Sequence, residues 1–360
     1  MSGTLDDVGA VARYDSAGML AAIPRLAAQL HDGWERSRVL DLPAAHRDPA
    51  AVVVLGMGGS AIGADLVRAI FADRLRVPLV TVRDYDLPAF AGPRTLVVAA
   101  SHSGATEETL SALAQAIARG CAVAAIGTGG PLLAAARRGG LPYLEYAGES
   151  QPRASVGSGV ALLAGLLERA GCLAIDAAEF DAAGDAIREM TARCAPDVPT
   201  AQNPAKQLAW SLVDRLPVVE AGGFLAPVAR RWKTQLNENG KSMACWEELP
   251  EATHNAVVGY AQPETLHEHT FVVFLASPDD HPRVALRRSL AADLLAEQRI
   301  GHEVVAIGGH GKLAQAFSAI VLGDFTSVYL AILYGQDPTP VAAISYVKER
   351  LAMADPDARE

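Results

Sequence analysis

Cysteine is scarce. The 360 residues contain four, Cys121, Cys172, Cys194 and Cys245. No two form a C-x-x-C pair, which excludes a disulfide framework or a zinc ribbon and leaves buried thiols in a reducing compartment. Basic excess is missing too: 31 Lys and Arg against 41 Asp and Glu give a net charge of −10. That argues against a general nucleic-acid-binding surface, while leaving room for a local basic pocket. The first residues, MSGTLDDVGAVARYD, lack the basic and apolar regions of a signal peptide. The apolar runs do not suit a bilayer: Ser155 to Leu167 is too short, and Ser318 to Gly335 carries Asp324 in its middle. A cytoplasmic protein without membrane or nucleic-acid partners is expected. What remains is an ordinary globular composition, half apolar and a fifth charged, at a length that holds about two domains.

Val- and Ile-rich runs alternate with helical patterns. Ala51–Leu55, Pro78–Val82, Leu96–Ala100 and Ala122–Ile126 read as strands apolar on both faces, the mark of a parallel sheet covered on both sides. Asp15–Leu30 reads as an amphipathic helix, Ser155–Ala170 as a long apolar one and Phe180–Arg193 as another. After the Pro-containing stretch Asp197–Asn203 a second series begins, with strands at Leu216–Glu220, Thr270–Ala276 and Glu303–Ile307, a helical region from Phe317 and a tail helix at Val341–Met353. Two similar α/β domains are predicted.

Two strand-to-helix turns carry the chemistry. The first is Gly56-Met57-Gly58-Gly59-Ser60, whose glycines let backbone approach an anion. The second places Ser101, Ser103 and Thr106 between a strand and a helix that opens with Glu107 and Glu108. Free N–H groups and a partial positive charge at that helix end suit a phosphate. An ordinary N-cap is the competing explanation, because Ser, Thr and acidic residues favour that position. No Lys completes a G-x-x-x-x-G-K-[ST] nucleotide loop, and the Gly-Gly-His310-Gly-Lys312 stretch lacks the hydroxyl after its Lys. A dinucleotide fold is disfavoured because Asp84 comes far too late for a ribose-binding acid. Hydroxyls and amides without a Lys point to a phosphate carried by a small substrate. His267-Glu268-His269 has no third metal ligand nearby, and no metal or cofactor is expected.

GMGGSAIGADL together with SHSGATEETL resembles the sugar-isomerase (SIS) domain family, which binds phosphosugars through an S-x-S-G-x-T-x-E-T loop. His102 and Ala105 stand where relatives often carry Tyr and Asn. QLNENGKSMACWEELPEATHNAVVGY, Ser150–Ala154 and the tail DPTPVAAISYVKERL are similar to the bifunctional phosphoglucose/phosphomannose isomerases, so the resemblance covers almost the whole chain. It implies two SIS-type domains, each a mainly parallel sheet flanked by helices in three layers. The divisions would be 1–155 for the N-terminal domain with its leading helix, 156–203 for a helical connection, 204–335 for the C-terminal domain and 336–360 for the tail helix.

The resemblance also assigns roles. Gly59, Ser60, Ser101, Ser103 and Thr106 would hold the sugar phosphate. Glu238 would be the proton-transfer base, Arg153 the stabiliser of the enediolate, and His254 and Lys348 the ring-opening pair. His254 would reach in from a partner subunit, making a homodimer. The implied reaction interconverts glucose 6-phosphate or mannose 6-phosphate with fructose 6-phosphate, and it needs a carboxylate base and a cation for the developing oxyanion. Composition alone does not separate Glu238 from Glu247, Glu248 and Glu251, or Lys348 from Lys241 and Lys233. Arg153 is equally suited to pairing with Glu149, and His102 to binding the anion or merely covering its loop. Thr339 is a candidate wall for the sugar's second carbon. A non-catalytic phosphosugar sensor would keep the hydroxyls without needing the base.

Overall fold

The apolar runs become the inner strands of two parallel sheets. The computed structural model describes residues 5–149 and 151–354, so Ser150 of the Ser150–Ala154 motif lies outside the described residues. Strands β1 (Ala51–Leu55), β2 (Leu79–Val82), β3 (Thr95–Ser101), β4 (Ala122–Gly127) and β5 (Tyr143–Glu145) form one sheet in the order β2-β1-β3-β4-β5. Strands β6 (Leu216–Gly222), β7 (Cys245–Leu249), β8 (Thr270–Ala276) and β9 (Gly301–Ala306) form the other in the order β7-β6-β8-β9. All seven strand pairings are parallel. In each sheet the first strand lies between its two successors, so the strand order reverses there. Such a switch point opens a crevice at the carboxyl ends of the strands.

The helices are α1 (Val8–Tyr14), α2 (Met19–Ala22), α3 (Leu26–Arg38), α4 (Gly58–Ile70), α5 (Glu107–Ala118), α6 (Gly130–Gly139), α7 (Val156–Arg169), α8 (Ala178–Cys194), α9 (Pro204–Leu212), α10 (Ala226–Glu238), α11 (Pro282–Glu297), α12 (Lys312–Leu333) and α13 (Ala342–Ala354). Val53, Leu55, Val97 and Ala99 pack one face of the first sheet on α5 and α6 through Ala112, Leu113, Leu132 and Leu133. Val52, Val54, Leu96 and Val98 on the opposite face join a core that continues through α3, α4, α7 and α8 to α12 and the inner face of β6. On its outer face β6 offers Val218 to a smaller cluster with Phe274, Ala291 and Leu295. Each sheet is therefore sandwiched between helices.

Helix α12 is long and apolar enough to cross a membrane, yet 94% of its most apolar window is buried. It is a core helix, and its Asp324 is matched by Arg231 of α10 at 2.7 Å. The helix expected over Asp15–Leu30 is divided: Pro24, without an N–H, sits in a 3₁₀ turn at Ile23–Arg25, and α3 then runs on to Arg38. β7 and α11 gave no signal in the sequence pattern, because CWEEL is polar at a sheet edge and α11 buries only Arg288, Ala291 and Leu295.

Helices α10 and α12 meet with almost no spare room. A Cβ at Gly323 would lie 2.4 Å from the Trp232 ring, which is fixed by its own Nε1–H donated to the Ala319 carbonyl at 2.9 Å. Gly323→Ala is therefore expected to overpack this contact and cost about 1–3 kcal/mol, read as a lower midpoint in urea unfolding.

Candidate active site

The second hydroxyl turn is not an ordinary cap. Thr106 occupies the N-cap position of α5, but its side chain makes no cap hydrogen bond. Its Oγ1 instead pairs with Ser101 Oγ at 2.8 Å. Ser101 Oγ accepts from Gly104 N at 3.0 Å, and Ser103 Oγ from Ala105 N at 3.2 Å. Helix α4 also starts without a side-chain cap, at Met57, and Ser60 Oγ accepts from His102 N at 3.1 Å, tying the two turns together. Two helix N-termini thus converge with their leading N–H groups uncapped by any side chain, an arrangement that attracts an anion. Gly104 is at φ +66°, and a Cβ there would lie 2.1 Å from the Gly129 carbonyl, so only glycine permits this turn.

His102 covers the loop. Its Nε2 lies 3.0 Å from the Glu149 carbonyl, and burial lowers its pKa, against a smaller opposing pull from Glu149. Burial therefore works against a charged ring at this loop. Glu149 pairs with Arg25 at 2.7 Å, which leaves Arg153 to other partners.

Gly59 joins this turn to the acid–cation pair. A Cβ on it would lie 2.9 Å from the Pro152 carbonyl, so the start of α4 abuts the 3₁₀ turn Pro152–Ala154. A small cavity lined by Gly59, Ser60, Ser101, Tyr146, Pro152 and Ser155 lies at this junction. Arg153 is 3% exposed. Its Nε donates to Asn239 Oδ1 at 2.6 Å. One terminal nitrogen donates to Gln151 Oε1 at 3.1 Å and to Glu238 Oε2 at 3.3 Å. The other donates to the carbonyls of Pro338 at 3.1 Å and Thr339 at 2.7 Å. All five N–H groups of the guanidinium are engaged. Burial pushes the Arg153 pKa down and the Glu238 charge pulls it back up, and the group stays a cation. Its bond to Glu238 is the longest of the five, and Glu238 is 28% exposed.

Below this pair lies a buried scaffold. Arg231 pairs with Asp324 and also donates to the Arg153 carbonyl at 3.2 Å. Gln235 donates to Asp324 at 2.8 Å, and Asn239 to Ser327 Oγ at 3.0 Å. Lys241 donates to the carbonyls of Glu238, Pro338 and Pro340 at 2.6, 3.0 and 2.6 Å. Its three protons are spent clamping the tail to the end of α10, which removes it as a competing acid. None of Gln151, Asn239, Arg231 and Asp324 stood out in the sequence as a site residue. The only available signal was the polar run Asn237-Glu238-Asn239 beside Lys241.

The competing carboxylates are elsewhere. Glu247 lies beside Glu220 on the second sheet, Glu248 lines a different cleft, and Glu251 accepts from Asn255 at 2.8 Å. That cleft, of about 890 Å³ between α4 and the start of α10, is far roomier than the cavity at Ser101, but its Asp73–Lys312 and Asp65–Arg230 pairs neutralise one another. The structure brings Gly59, Ser60, Ser101, Ser103, Thr106, Arg153 and Glu238 into one connected region. His254 and Lys348 are exposed, and among the described residues no hydrogen bond or ion pair joins either to it.

Two SIS-type units with a hydroxyl-lined anion turn define a phosphosugar-binding protein class. Residues 201–351 match the family model of the bacterial phospho-glucose isomerase C-terminal SIS domain. The chain is 36% identical to the bifunctional phosphoglucose/phosphomannose isomerase of Caldicellulosiruptor bescii over 93% of its length and 99% of that protein. It is 33% identical to that of Aquifex aeolicus, over 83% and 90%. A hypothetical protein of Thermus thermophilus shares the fold, with a TM-score of 0.74 at 18% identity, over 97% of this chain and 95% of that one. The chain belongs to the bifunctional phosphoglucose/phosphomannose isomerase family.

Lysine in place of Arg153 would keep one charge and lose the planar fork. Arg153→Lys is expected to cost about 3 kcal/mol through stranded buried partners, and to lower kcat/KM by at least ~10²-fold as Glu238 loses its anchor; calorimetry and steady-state kinetics check the two effects.

Proposed function

We propose that this protein is an aldose–ketose isomerase that converts glucose 6-phosphate and mannose 6-phosphate to and from fructose 6-phosphate. The observation that carries the reading is the Arg153–Glu238 pair at 3.3 Å, joined through Gly59 and Pro152 to the uncapped hydroxyl turn. The phosphate rests on Gly59, Ser60, Ser101, Ser103 and Thr106. Glu238 removes the proton from one of two adjacent carbons and returns it to the other, through an enediol. Arg153 opposes the negative charge that forms on the enediolate oxygen. To do so it turns one terminal N–H from Glu238 towards substrate, leaving four bonds to hold its position. Thr339, whose carbonyl is gripped by Arg153 and whose hydroxyl is buried without a partner, stands as the wall beside the second carbon.

Ring opening falls to His254 and Lys348, with His254 supplied by a second copy of the chain. The tail supports a homodimer: α13 buries none of its residues and exposes Ile344, Tyr346, Val347, Leu351 and Met353. A second subunit would cover that face and bring Lys348 and His254 towards the crevice. The domain divisions at 155, 203 and 335, and a cytoplasmic location, belong to the same reading. A sensor would have no use for a carboxylate held at the guanidinium, so the pair favours an enzyme.

Glu238→Gln keeps the shape and removes the base. Turnover in a coupled glucose 6-phosphate assay is expected to fall by at least ~10²-fold with KM little changed; a rate near that of the unmodified enzyme removes Glu238 from the mechanism. Replacing Ser103 and Thr106 together by Ala is expected to raise KM with the smaller effect on kcat, because the phosphate is bound alike in ground and transition states. An unchanged KM would displace the phosphate from this turn.

A further inference from the structure

Glu220 is a carboxylic acid in the middle of the central strand of the second sheet, and the mechanism above has no use for it. It is 1% exposed. Its strand alternates, so Val218 and Glu220 share the outer face, where Val218, Val257, Tyr260, Phe274, Ala291 and Leu295 belong to an apolar cluster. Across the sheet its register partners are Phe274 on β8 and Glu247 on β7. Its Oε1 accepts from the Tyr260 hydroxyl at 3.0 Å, and its Oε2 is buried without a partner. Tyr260 belongs to the 3₁₀ turn Ala256–Ala261, which follows directly on the turn Glu251–His254. At its other end the segment is held by α11, whose Arg287 donates to Thr253 Oγ1 at 2.6 Å. His254 therefore projects, exposed, from a segment moored at Thr253 and at Tyr260.

We propose that Glu220 is a positioning residue for the isomerase reaction, fixing through Tyr260 the segment that presents His254 to the neighbouring active site. The inference rests on the assignment of His254 made above. The carboxyl serves as the acceptor for Tyr260, and its apolar surroundings and Glu247 oppose a charge there. Burial raises the Glu220 pKa to about 7, with the Tyr260 hydroxyl pulling down and Glu247 pushing up. The ionisable groups bearing on it are Tyr260 from the presenting segment and Glu247 from β7. The neighbouring strand and helix contribute Phe274, Ala291 and Leu295, while Arg287 and Arg288 of α11 are engaged by Thr253 and Asp280. In the unfolded chain the carboxyl ionises near its ordinary 4.5. The fold therefore loses stability as pH rises from about 4.5 through about 7, while the bond donated by Tyr260, which a carboxylate accepts at least as well as a carboxyl, is kept.

The test measures kcat and KM for fructose 6-phosphate from about pH 6 to pH 9 on the full chain, with hydrogen exchange over residues 251–261. Tyr260→Phe removes the bond and is expected to lower kcat about 10-fold with KM within about twofold, and to speed exchange of the segment. Glu220→Gln keeps an acceptor for Tyr260 without a titratable proton. It is expected to keep kcat near that of the unmodified enzyme across this pH range, because the acceptor for Tyr260 is kept, and to gain more in melting temperature at pH 8 than at pH 5, because no buried charge forms. Tyr260→Phe with unaltered kcat and exchange, or Glu220→Gln with a kcat as low as that of Tyr260→Phe, overturns the proposal. His254→Asn separates the two layers. If it is inactive while Tyr260→Phe is fully active, only the role of Glu220 fails; if it keeps full turnover, the His254 assignment fails and this inference with it.

Discussion

The Arg153 guanidinium organises the site by being fully subscribed. A buried cation is costly unless each donor finds an acceptor, and here the acceptors come from three parts of the chain, two of them distant: Gln151 beside it, Glu238 and Asn239 at the end of α10, and the Pro338–Thr339 carbonyls of the tail. Satisfying the cation forces those segments together. The same requirement aims the Glu238 carboxylate and sets the point from which α13 departs. Arg231 and Asp324 complete the constraint from beneath by holding the Arg153 backbone, so the Arg153–Glu238 pair rests on an inner pair in the core.

The two sheets share a winding pattern but treat their switch points differently. After β3, Ser101 Oγ accepts from Gly104 N at 3.0 Å and the turn offers hydroxyls. After β8, Ser277 Oγ accepts from Asp279 N at 2.9 Å in the same manner, but the turn continues with acids. Asp280 accepts from Ser277 N and from Arg288, and Asp279 from Gln315. The second crevice is filled by the chain's own carboxylates, which repel a phosphate. In the first the acids Glu107 and Glu108 come only after the turn, within α5, and the turn itself presents hydroxyls. One architecture thus yields two different turns, and the second unit places Glu238 at the end of α10 beside Arg153.

Legibility followed the physics of each feature. Strands buried on both faces announced themselves as unbroken apolar runs, and β1, β3, β4, β6 and β8 fall within a residue or two of expectation. The hydroxyl turn was readable because its residues are close together in sequence. Edge strand β7 and helix α11 were not, since each is half polar and takes its conformation from neighbours. Arg153 and Glu238 entered through motif resemblance, and nothing local to either showed that they touch, being 85 positions apart. Asp324 is the clearest reversal: a charge within an apolar run argued against a membrane span, and the fold shows what the charge is for.

Local sequence determined which segments are strands and helices, where glycine must turn the chain, and which hydroxyls crowd one helix end, because these depend on neighbours a few residues apart. Tertiary structure alone decided that Thr106 would decline its capping role in favour of Ser101, that burial would work against a charge on His102, that Lys241 would be a clamp rather than an acid, and that Glu220 would be held back from ionising under Tyr260. Each of those outcomes turns on burial and on partners brought from elsewhere in the chain. A hydrogen bond between distant residues leaves no mark on the sequence around either of them.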